Sequence, residues 1–210
     1  TSITNAEEAG RALEGVHGIL VPGGFGARGT EGKIQCIHYA RTHNVPFLGL
    51  CLGFQLAAVE FARSVCGLAD AASTEFLQDA EHPVIDLLPE QKKLEGLGGN
   101  MRLGGRWVEV KPGTVAHSLY GSERIRERFR HRYECNPAYI DLLEQHGMVF
   151  SGKAPDHPIM QIMELPSHPY YVGTQFHPEL LSRPARPHPL FMGFVAACQQ
   201  ANPIGWKVDA

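Results

Sequence analysis

The sequence predicts an α/β fold with a mostly parallel central sheet flanked by helices. Two short apolar runs, residues 17–22 (HGILVP) and 46–50 (PFLGL), have the length and composition of buried strands. Each run is followed by a loop or sharp turn and then by a segment with helical spacing of apolar residues. Two strand–loop–helix units in about 50 residues indicate parallel strands joined by helices.

The first of these helices is predicted over residues 30–43, where Ile34, Ile37 and Arg41 recur at helical spacing and Thr30 is a suitable N-cap. The second is predicted over residues 52–65. Because that segment contains few polar residues, we expect it to be mostly buried.

The middle of the chain is rich in glycine, and residues 97–105 are predicted to form a flexible loop before a strand over residues 107–111. Three further elements are predicted from apolar patterning: a helix over residues 137–145 ended by Gly147, and strands over residues 159–165 and 170–176. A closing helix over residues 190–200 is predicted to turn Phe191, Phe194, Val195 and Cys198 inward.

Composition limits the classes of protein that fit. The 210 residues, 43% of them hydrophobic, are expected to form a single domain over residues 1–210. The net charge of −3 disfavours a nucleic-acid partner, and the lack of an apolar run of about 20 residues disfavours a membrane partner. Five cysteines without CxxC spacing favour free thiols, a reducing cytoplasmic setting and no structural metal site.

A GxGxxG pattern at residues 24–29 follows the first predicted strand, as in dinucleotide-binding domains. Such domains also need an acidic residue about 20 positions later, and residues 48–51 (LGLC) contain none. We therefore favour a second interpretation, in which glycines let backbone N–H groups approach a developing oxyanion.

The segment 49–53 (GLCLG) joins a predicted strand to a predicted helix and has the spacing of a nucleophile elbow, with Cys51 as the nucleophile. A helix N-terminus favours the thiolate form of a cysteine placed there. In this interpretation the backbone N–H groups of Leu52 and Gly24 form the oxyanion hole. The alternative is that Cys51 is an ordinary buried core cysteine.

A histidine follows the strand predicted over residues 170–176. His177 stands where α/β sheets place their chemistry, and Glu179, two residues later, is suited to orient it. The alternative is a simple strand-ending turn. The combination with the elbow and the glycine loop favours a Cys51–His177–Glu179 triad.

Three segments give a resemblance to a known family: residues 22–26 (PGGFG), 49–53 (GLCLG) and 175–179 (QFHPE) resemble those of class I, triad-type glutamine amidotransferases. Four more narrow it to the glutaminase domain of the CTP synthase family: 73–76 (STEF), 97–104 (LGGNMRLG), 130–134 (RHRYE) and 178–184 (PELLSRP). The resemblance implies a flavodoxin-like three-layer fold. The fold's usual first strand and helix are expected before Thr1, so the chain is interpreted as a fragment of a longer two-domain chain.

The resemblance also implies roles for individual residues. Cys51 attacks the side-chain amide of L-glutamine to give a thioester and ammonia, His177 serves as acid and base, and Glu179 orients it. The substrate-binding residues that it implies are Gln55, Glu75, Arg132, Phe25 and Gly23. It implies a mobile lid at the junction with a second domain, formed by Gly98, Gly99, Asn100, Met101, Arg102, Leu103 and Gly104.

The same resemblance implies partners outside this chain. A synthetase domain, which these residues lack, would use the ammonia to convert UTP to CTP with ATP and Mg²⁺, with GTP as an activator. The family forms tetramers and filaments, and no cofactor is expected in this domain. Two alternatives remain at this point: another amidotransferase of the class, such as the GMP synthetase type, or a module that binds glutamine and turns it over poorly.

Overall fold

The computed structural model describes residues 3–87, 101–155 and 157–201. The helices in these ranges are α1 (Ala6–Ala12), α2 (Thr30–Thr42), α3 (Leu52–Ser64), α4 (Val115–Tyr120), α5 (Pro137–Gln145) and α6 (Pro189–Ala201), with a 3₁₀ turn at Pro178–Leu180. The strands are β1 (Ile19–Val21), β2 (Phe47–Leu50), β3 (Ala71–Ser73), β4 (His82–Asp86), β5 (Arg102–Val110), β6 (Arg124–His131), β7 (Glu134–Cys135), β8 (Val149–Lys153), β9 (Met160–Glu164) and β10 (Tyr171–Thr174).

The main sheet has the strand order β1-β2-β10-β9-β8-β5-β6. Strands β1, β2 and β10 pair in parallel, whereas each pair from β10 to β6 is antiparallel. The predicted α/β class is confirmed, and within the main sheet parallel pairing is confined to the three strands that precede Gly24, Cys51 and His177. A small second sheet has the order β3-β4-β7.

Helices cover the main sheet on both faces, so successive residues of its central strands enter different cores. On β2, Phe47 belongs to the core that contains α2 and α3, and Leu48 belongs to the core that contains α4 and α6. The strand therefore consists of apolar residues and glycine without alternation, as expected for a strand that is buried on both faces.

Helix α3 packs against the main sheet on one side and against β3, β4 and β7 on the other. Its first eleven residues, 52–62, are all buried. One of them is Glu60, whose carboxylate receives two hydrogen bonds of 2.8 Å from the Arg41 guanidinium. The ion pair satisfies a charge that would otherwise be costly to bury.

Strand β6 alternates strictly between exposed arginines and buried residues. The exposed positions of β6 are Arg124, Arg126, Arg128 and Arg130, and the buried positions are Ile125, Glu127, Phe129 and His131. Strand β6 is the last strand in the order of the sheet. Its strict alternation shows that one face of this strand packs on the core and the other faces solvent.

Three details of the predicted elements are wrong. Thr30 is the first residue of α2 and not its N-cap, which is Gly29 in a left-handed conformation with a φ of 71°. Residues 102–105 are part of strand β5, because the ladder with β6 extends to Arg102. Val195 on α6 is 51% exposed and does not point inward.

Within the described part of the chain, none of the helices has the length and hydropathy that crossing a membrane requires.

Candidate active site

The site lies where the carboxyl ends of β1, β2 and β10 meet. Since these strands are parallel neighbours, the segments that follow them leave the same edge of the sheet. Gly23 and Gly24 follow β1, Cys51 follows β2, and His177 follows β10. The topology thereby brings together three segments that are far apart in sequence.

Cys51 occupies a strained backbone conformation at the junction of β2 and α3, with φ 52° and ψ −98°. A positive φ is rare for a residue other than glycine. The backbone N–H of Cys51 donates to the Thr174 carbonyl at 2.7 Å, and its own carbonyl accepts from the N–H of Gln55 at 3.1 Å. These bonds hold the residue between the sheet and the first turn of the helix, as predicted for a nucleophile elbow.

Glycines let the elbow pack tightly. A Cβ atom on Gly53 would overlap the Val21 carbonyl oxygen, and one on Gly49 would lie 2.7 Å from the Gly53 carbonyl carbon. A Cβ on Gly23 would lie 2.8 Å from His177 Cε1. Each distance is shorter than real Cβ contacts allow, so the close approach of β1, the elbow and His177 depends on these glycines.

His177 is held by both its backbone and its ring. Its N–H donates to the Arg128 carbonyl at 2.9 Å, and its Nδ1 lies 2.6 Å from Glu179 Oε1. The ring atom left to face Cys51 is therefore Nε2, which is buried and makes no hydrogen bond of ordinary geometry.

Charge in the site favours protonated His177. The Cys51 sulfur and then the Glu179 carboxylate raise the pKa of His177 to about 10, against the opposing effect of burial. Partial burial raises the pKa of Glu179, but the hydrogen bond with His177 and the charge of that ring outweigh this effect, so the net shift is downward. Glu179 is consequently a carboxylate at neutral pH and is suited to hold the imidazolium.

A narrow pocket opens beside Cys51 with a volume of about 30 Å³. Its walls are Gly24, Phe25, Cys51, Gln55, Glu75, His131, Arg132 and Tyr133. This volume is room for one or two water molecules, so an amino acid requires the pocket to widen. The structure brings the predicted residues Gly24, Phe25, Gln55, Glu75 and Arg132 together around Cys51.

Opposite charges line the pocket. Glu75 Oε1 accepts from the N–H of Gly26 at 3.0 Å, which ties the loop after β3 to the glycine loop after β1. Arg132 Nε is buried and has no hydrogen-bond partner among the residues that the structure describes. An unpaired guanidinium N–H at a pocket wall is suited to an anionic group such as a carboxylate.

Gly24 and Leu52, the predicted oxyanion-hole residues, are neighbours in the structure. A Cβ atom on Gly24 would lie 3.2 Å from Leu52 Cδ2. Leu52 is the first residue of α3, so its N–H precedes the first intrahelical hydrogen bond. The arrangement is compatible with two N–H groups that point at one oxygen.

Two amide side chains connect the pocket to Cys51. Gln55 Nε2 donates to the Tyr133 carbonyl at 3.0 Å and to Gln175 Oε1 at 3.2 Å. Gln175 Nε2 in turn donates to Cys51 Sγ at 3.7 Å. Gln175 and Tyr133 had no role predicted from the sequence, although both lie within segments that carry the family resemblance.

His131 is a second histidine at the pocket, and no role was predicted for it from the sequence. Its Nδ1 lies 3.1 Å from the Tyr133 carbonyl, which can only accept, so Nδ1 carries the proton. Its Nε2 is buried without a partner, and burial lowers the pKa of His131 to about 3. The ring is therefore neutral at neutral pH.

Only part of the predicted lid falls within the described residues. Gly98, Gly99 and Asn100 lie outside them, whereas Arg102, Leu103 and Gly104 belong to β5 and Met101 directly precedes it. Arg102 Nε lies 2.8 Å from Glu134 Oε1, a buried carboxylate whose pKa burial raises to about 8 despite this pairing. The carboxyl-terminal half of the predicted lid is thus part of the sheet.

No group of three or more histidine, cysteine, aspartate or glutamate side chains suited to a metal ion occurs in residues 3–87, 101–155 and 157–201.

Comparison with known proteins identifies relatives of this chain. The sequence model of the class-I glutamine amidotransferase family matches residues 1–197. A CTP synthase of Archaeoglobus fulgidus is 61% identical over 182 residues, which are 87% of this chain and 34% of that protein. A CTP synthase of Rubrobacter xylanophilus is 53% identical over 208 residues, 99% of this chain and 38% of that protein. The chain thus spans about a third of the length of the curated relatives it matches.

Two solved structures are also similar to this chain. The glutaminase domain of the Trypanosoma brucei CTP synthase, with bound acivicin, superposes with a TM-score of 0.87 at 36% identity, covering 93% of this chain and 76% of that one. A putative GMP synthase protein of Thermoplasma acidophilum has a TM-score of 0.60 at 19% identity, covering 96% and 82%. The second likeness concerns the fold alone.

Proposed function

Because the chain belongs to the class-I glutamine amidotransferase family, as a glutaminase domain of the CTP synthase type, we propose that it hydrolyses L-glutamine to glutamate and ammonia through Cys51, His177 and Glu179. The observation that carries this proposal is the bond of 2.6 Å between Glu179 and His177 Nδ1, which leaves Nε2 to face Cys51. The order Cys51, His177, Glu179 is that of a nucleophile, an acid–base group and an orienting carboxylate.

In the first half of the reaction, Cys51 Sγ attacks the carboxamide carbon of glutamine as a thiolate. The carbonyl electron pair moves onto oxygen, where the N–H groups of Gly24 and Leu52 stabilise the negative charge. As the intermediate collapses, the C–N bond breaks and His177 Nε2 gives its proton to the leaving nitrogen. The products are ammonia and a glutamyl thioester on Cys51.

In the second half, water attacks the thioester carbon and His177, now neutral, accepts a proton from it. Collapse of this intermediate breaks the C–S bond and releases glutamate, and the electron pair returns to the Cys51 sulfur. His177 is again an imidazolium beside a thiolate. Glu179 holds the ring through both halves, because its bond to Nδ1 is independent of the proton on Nε2.

The pocket supplies complementary groups for the α-amino and α-carboxylate ends of glutamine. We assign the carboxylate to Arg132, whose Nε is without a partner, and the ammonium to Glu75. Since Gln55 uses its Nε2 protons on Tyr133 and Gln175, it meets the substrate through Oε1, an acceptor that also suits the ammonium. Phe25, which is 60% exposed, and Gly23 complete the wall.

In the longer protein we propose that the ammonia passes to a synthetase domain, which converts UTP to CTP with ATP and Mg²⁺ under activation by GTP. Support comes from the curated CTP synthases, of which this chain covers about a third. Assembly into tetramers and filaments, and a cytoplasmic location, belong to the same proposal.

The test combines ammonia release from L-glutamine with intact-mass analysis after exposure to acivicin, the compound bound in the trypanosomal domain. We expect the parent protein to release ammonia and to gain one adduct on Cys51, and Cys51→Ala to do neither. An adduct without release would support the nucleophile and would place the requirement for water attack on the second domain. A folded protein that shows neither release nor adduct would contradict the proposal and favour a binding role.

A further inference from the structure

We propose that Gln175 is a further catalytic residue, whose side-chain amide donates a hydrogen bond to the Cys51 sulfur and stabilises the thiolate. The inference rests on the proposed role of Cys51 as the nucleophile. It adds a neutral donor to the site, next to the charged partner His177.

The Gln175 amide contacts the Cys51 sulfur directly, and backbone hydrogen bonds hold both residues in place. Gln175 Nε2 lies 3.7 Å from Cys51 Sγ, within the range of N–H···S hydrogen bonds, and the Gln175 side chain is fully buried. The backbone N–H of Gln175 donates to the Gln161 carbonyl at 2.9 Å, and the preceding residue, Thr174, accepts from the N–H of Cys51. Strand β10 therefore holds the amide and the elbow in one register.

The orientation of the Gln175 amide follows from its hydrogen-bond partners. The Tyr133 carbonyl can only accept, so the Gln55 amide must turn its nitrogen toward it. The same nitrogen faces Gln175, so the atom it meets there must be the acceptor Oε1. Gln175 consequently presents Nε2, and not oxygen, to the sulfur.

The Tyr133 carbonyl therefore determines, through the Gln55 and Gln175 amides, that a donor and not an acceptor meets Cys51 Sγ. Reversal of either amide would place two acceptors or two donors against each other in a buried space, where an unmet polar group is costly. The Tyr133 carbonyl also accepts from His131 Nδ1 at 3.1 Å, which fixes it further.

The other polar groups around Cys51 make a constant donor useful. His177 faces the sulfur from the end of β10, and the Arg130 carbonyl of β6 lies 3.9 Å from the sulfur and accepts from the thiol. Glu75 lines the pocket from the loop after β3, and His131 and Arg132 line it from the end of β6. His177 loses its proton to the leaving ammonia in the proposed cycle. The Gln175 N–H remains in place, so it stabilises the sulfur when the thioester collapses and a thiolate must leave.

The experiment measures the rate at which iodoacetamide alkylates Cys51 as a function of pH, with peptide mapping to separate Cys51 from the other four cysteines. The variant is Gln175→Met, which keeps the size and removes the N–H donor. We expect the midpoint of the rate–pH profile to move upward by about one pH unit or more, since hydrogen bonds to charged groups are among the stronger ones. Ammonia release should fall roughly tenfold.

Gln161→Met is the matched control. Gln161 is also buried, but its amide makes no hydrogen bond and it faces a different cavity, beside Arg106 and Trp107. We expect its profile to match that of the parent. If Gln175→Met fails to fold, Gln175→Leu provides a second test, because it removes the amide donor without adding a charge beside the sulfur.

The outcomes separate this inference from the proposed function. An unchanged alkylation profile and unchanged ammonia release in folded Gln175→Met, or in Gln175→Leu, would overturn the role of Gln175 and leave the glutaminase proposal standing. A parent protein that is alkylated at Cys51 but releases no ammonia and takes no acivicin would count against the glutaminase proposal, while the shift between parent and variant would still decide the role of Gln175.

Discussion

Single residues carry the chemistry of this site, and each depends on a neighbour that sets its charge or orientation. His177 is the clearest case, because Glu179 determines which ring nitrogen is left to face Cys51. Arg132 is a second case, because its Nε has no partner in the pocket until a ligand supplies one. Both dependences lead to measurable predictions.

Replacement of Glu179 by glutamine should lower kcat/KM for glutamine by roughly 10²- to 10⁴-fold, because His177 loses the carboxylate that orients it and helps to raise its pKa. The side chain of Glu179 is 44% exposed, so the melting temperature should change little. Steady-state ammonia release and thermal unfolding test this. Glu144→Gln, at an exposed position of α5, is the control, and retention of parental kcat/KM by Glu179→Gln would contradict the triad.

Replacement of Arg132 by lysine should raise KM for glutamine by roughly tenfold or more with a smaller change in kcat. A lysine keeps the charge but loses the two-pronged geometry with which a guanidinium grips a carboxylate. Initial-rate kinetics over a range of glutamine concentrations measure both constants. Arg128→Lys, on the exposed side of β6, is the control, and a fall in kcat alone would show that Arg132 does not hold the substrate.

Most residues of the pocket were predicted from the sequence. The residues that were missed are those whose role depends on contacts with residues distant in sequence. Cys51, His177 and Glu179 stand in short local patterns that the sequence displays directly. Gln175 and His131 acquire their roles from Gln55 and Tyr133, and the Gln55–Gln175 contact spans 120 residues of chain. A single sequence does not encode such contacts in any local spacing.

At the scale of elements, the strained turn at Cys51 forms because β1, β2 and α3 approach each other more closely than side chains usually allow. The Val21 carbonyl of β1 packs directly against the backbone of Gly53 in α3. The strained φ of Cys51 is maintained by this packing and by the bond to β10.

The change Gly53→Ala should therefore destabilise the fold by about 2 kcal/mol or more and abolish glutaminase activity, because its Cβ would overlap the Val21 carbonyl oxygen. Urea unfolding and ammonia release measure the two effects. Gly10→Ala in α1 is the matched control. A Cβ there would meet Tyr39 at 4.0 Å, and alanine should stabilise the helix by about 0.5–1 kcal/mol. Equal stability of both variants would refute the close approach.

Elements with continuous apolar runs were predictable, and those that depend on a partner were not. The strands at β1, β2, β9 and β10 and the helices α2, α3, α5 and α6 were predicted within a few residues. The glycine-rich start of β5 suggested a loop, yet it is a strand because eight register pairs with β6 hold it. Strand β6 itself, with an arginine at every second position, lacks the apolar run by which the other strands were found.

At the scale of the whole molecule, the buried groups beside the pocket link stability to pH. Burial lowers the pKa of His131 to about 3, whereas an unfolded histidine binds its proton near 6.5. The contribution of His131 to stability is therefore complete above about pH 6.5 and declines as the pH falls toward 3. Glu134, whose pKa is raised to about 8, acts in the opposite sense, and its contribution is lost as the pH rises through 8.

Replacement of His131 by asparagine should separate the pH dependence of stability due to His131 from that due to Glu134. Between pH 7 and pH 5 the parent should lose unfolding free energy relative to His131→Asn by about 1–2 kcal/mol, because the parent alone must keep a buried histidine neutral. Urea unfolding of both proteins at the two pH values gives the difference. His146→Asn, at an exposed histidine, is the control, and a parent–variant difference that does not change with pH would contradict a neutral, buried His131.

The row of arginines on β6 bears on how molecules of this protein meet each other. An end strand offers its unpaired backbone donors and acceptors to the strand of another molecule, and the most similar partner is the β6 of another copy. On β6 the Arg128 carbonyl is already occupied by the N–H of His177. Two such strands would bring up to eight guanidinium groups onto one ribbon, and their mutual repulsion opposes that encounter. Dissolved salt shortens the reach of this repulsion. We therefore expect colloidal stability in dilute buffer and a growing tendency toward strand-mediated clustering as ionic strength rises.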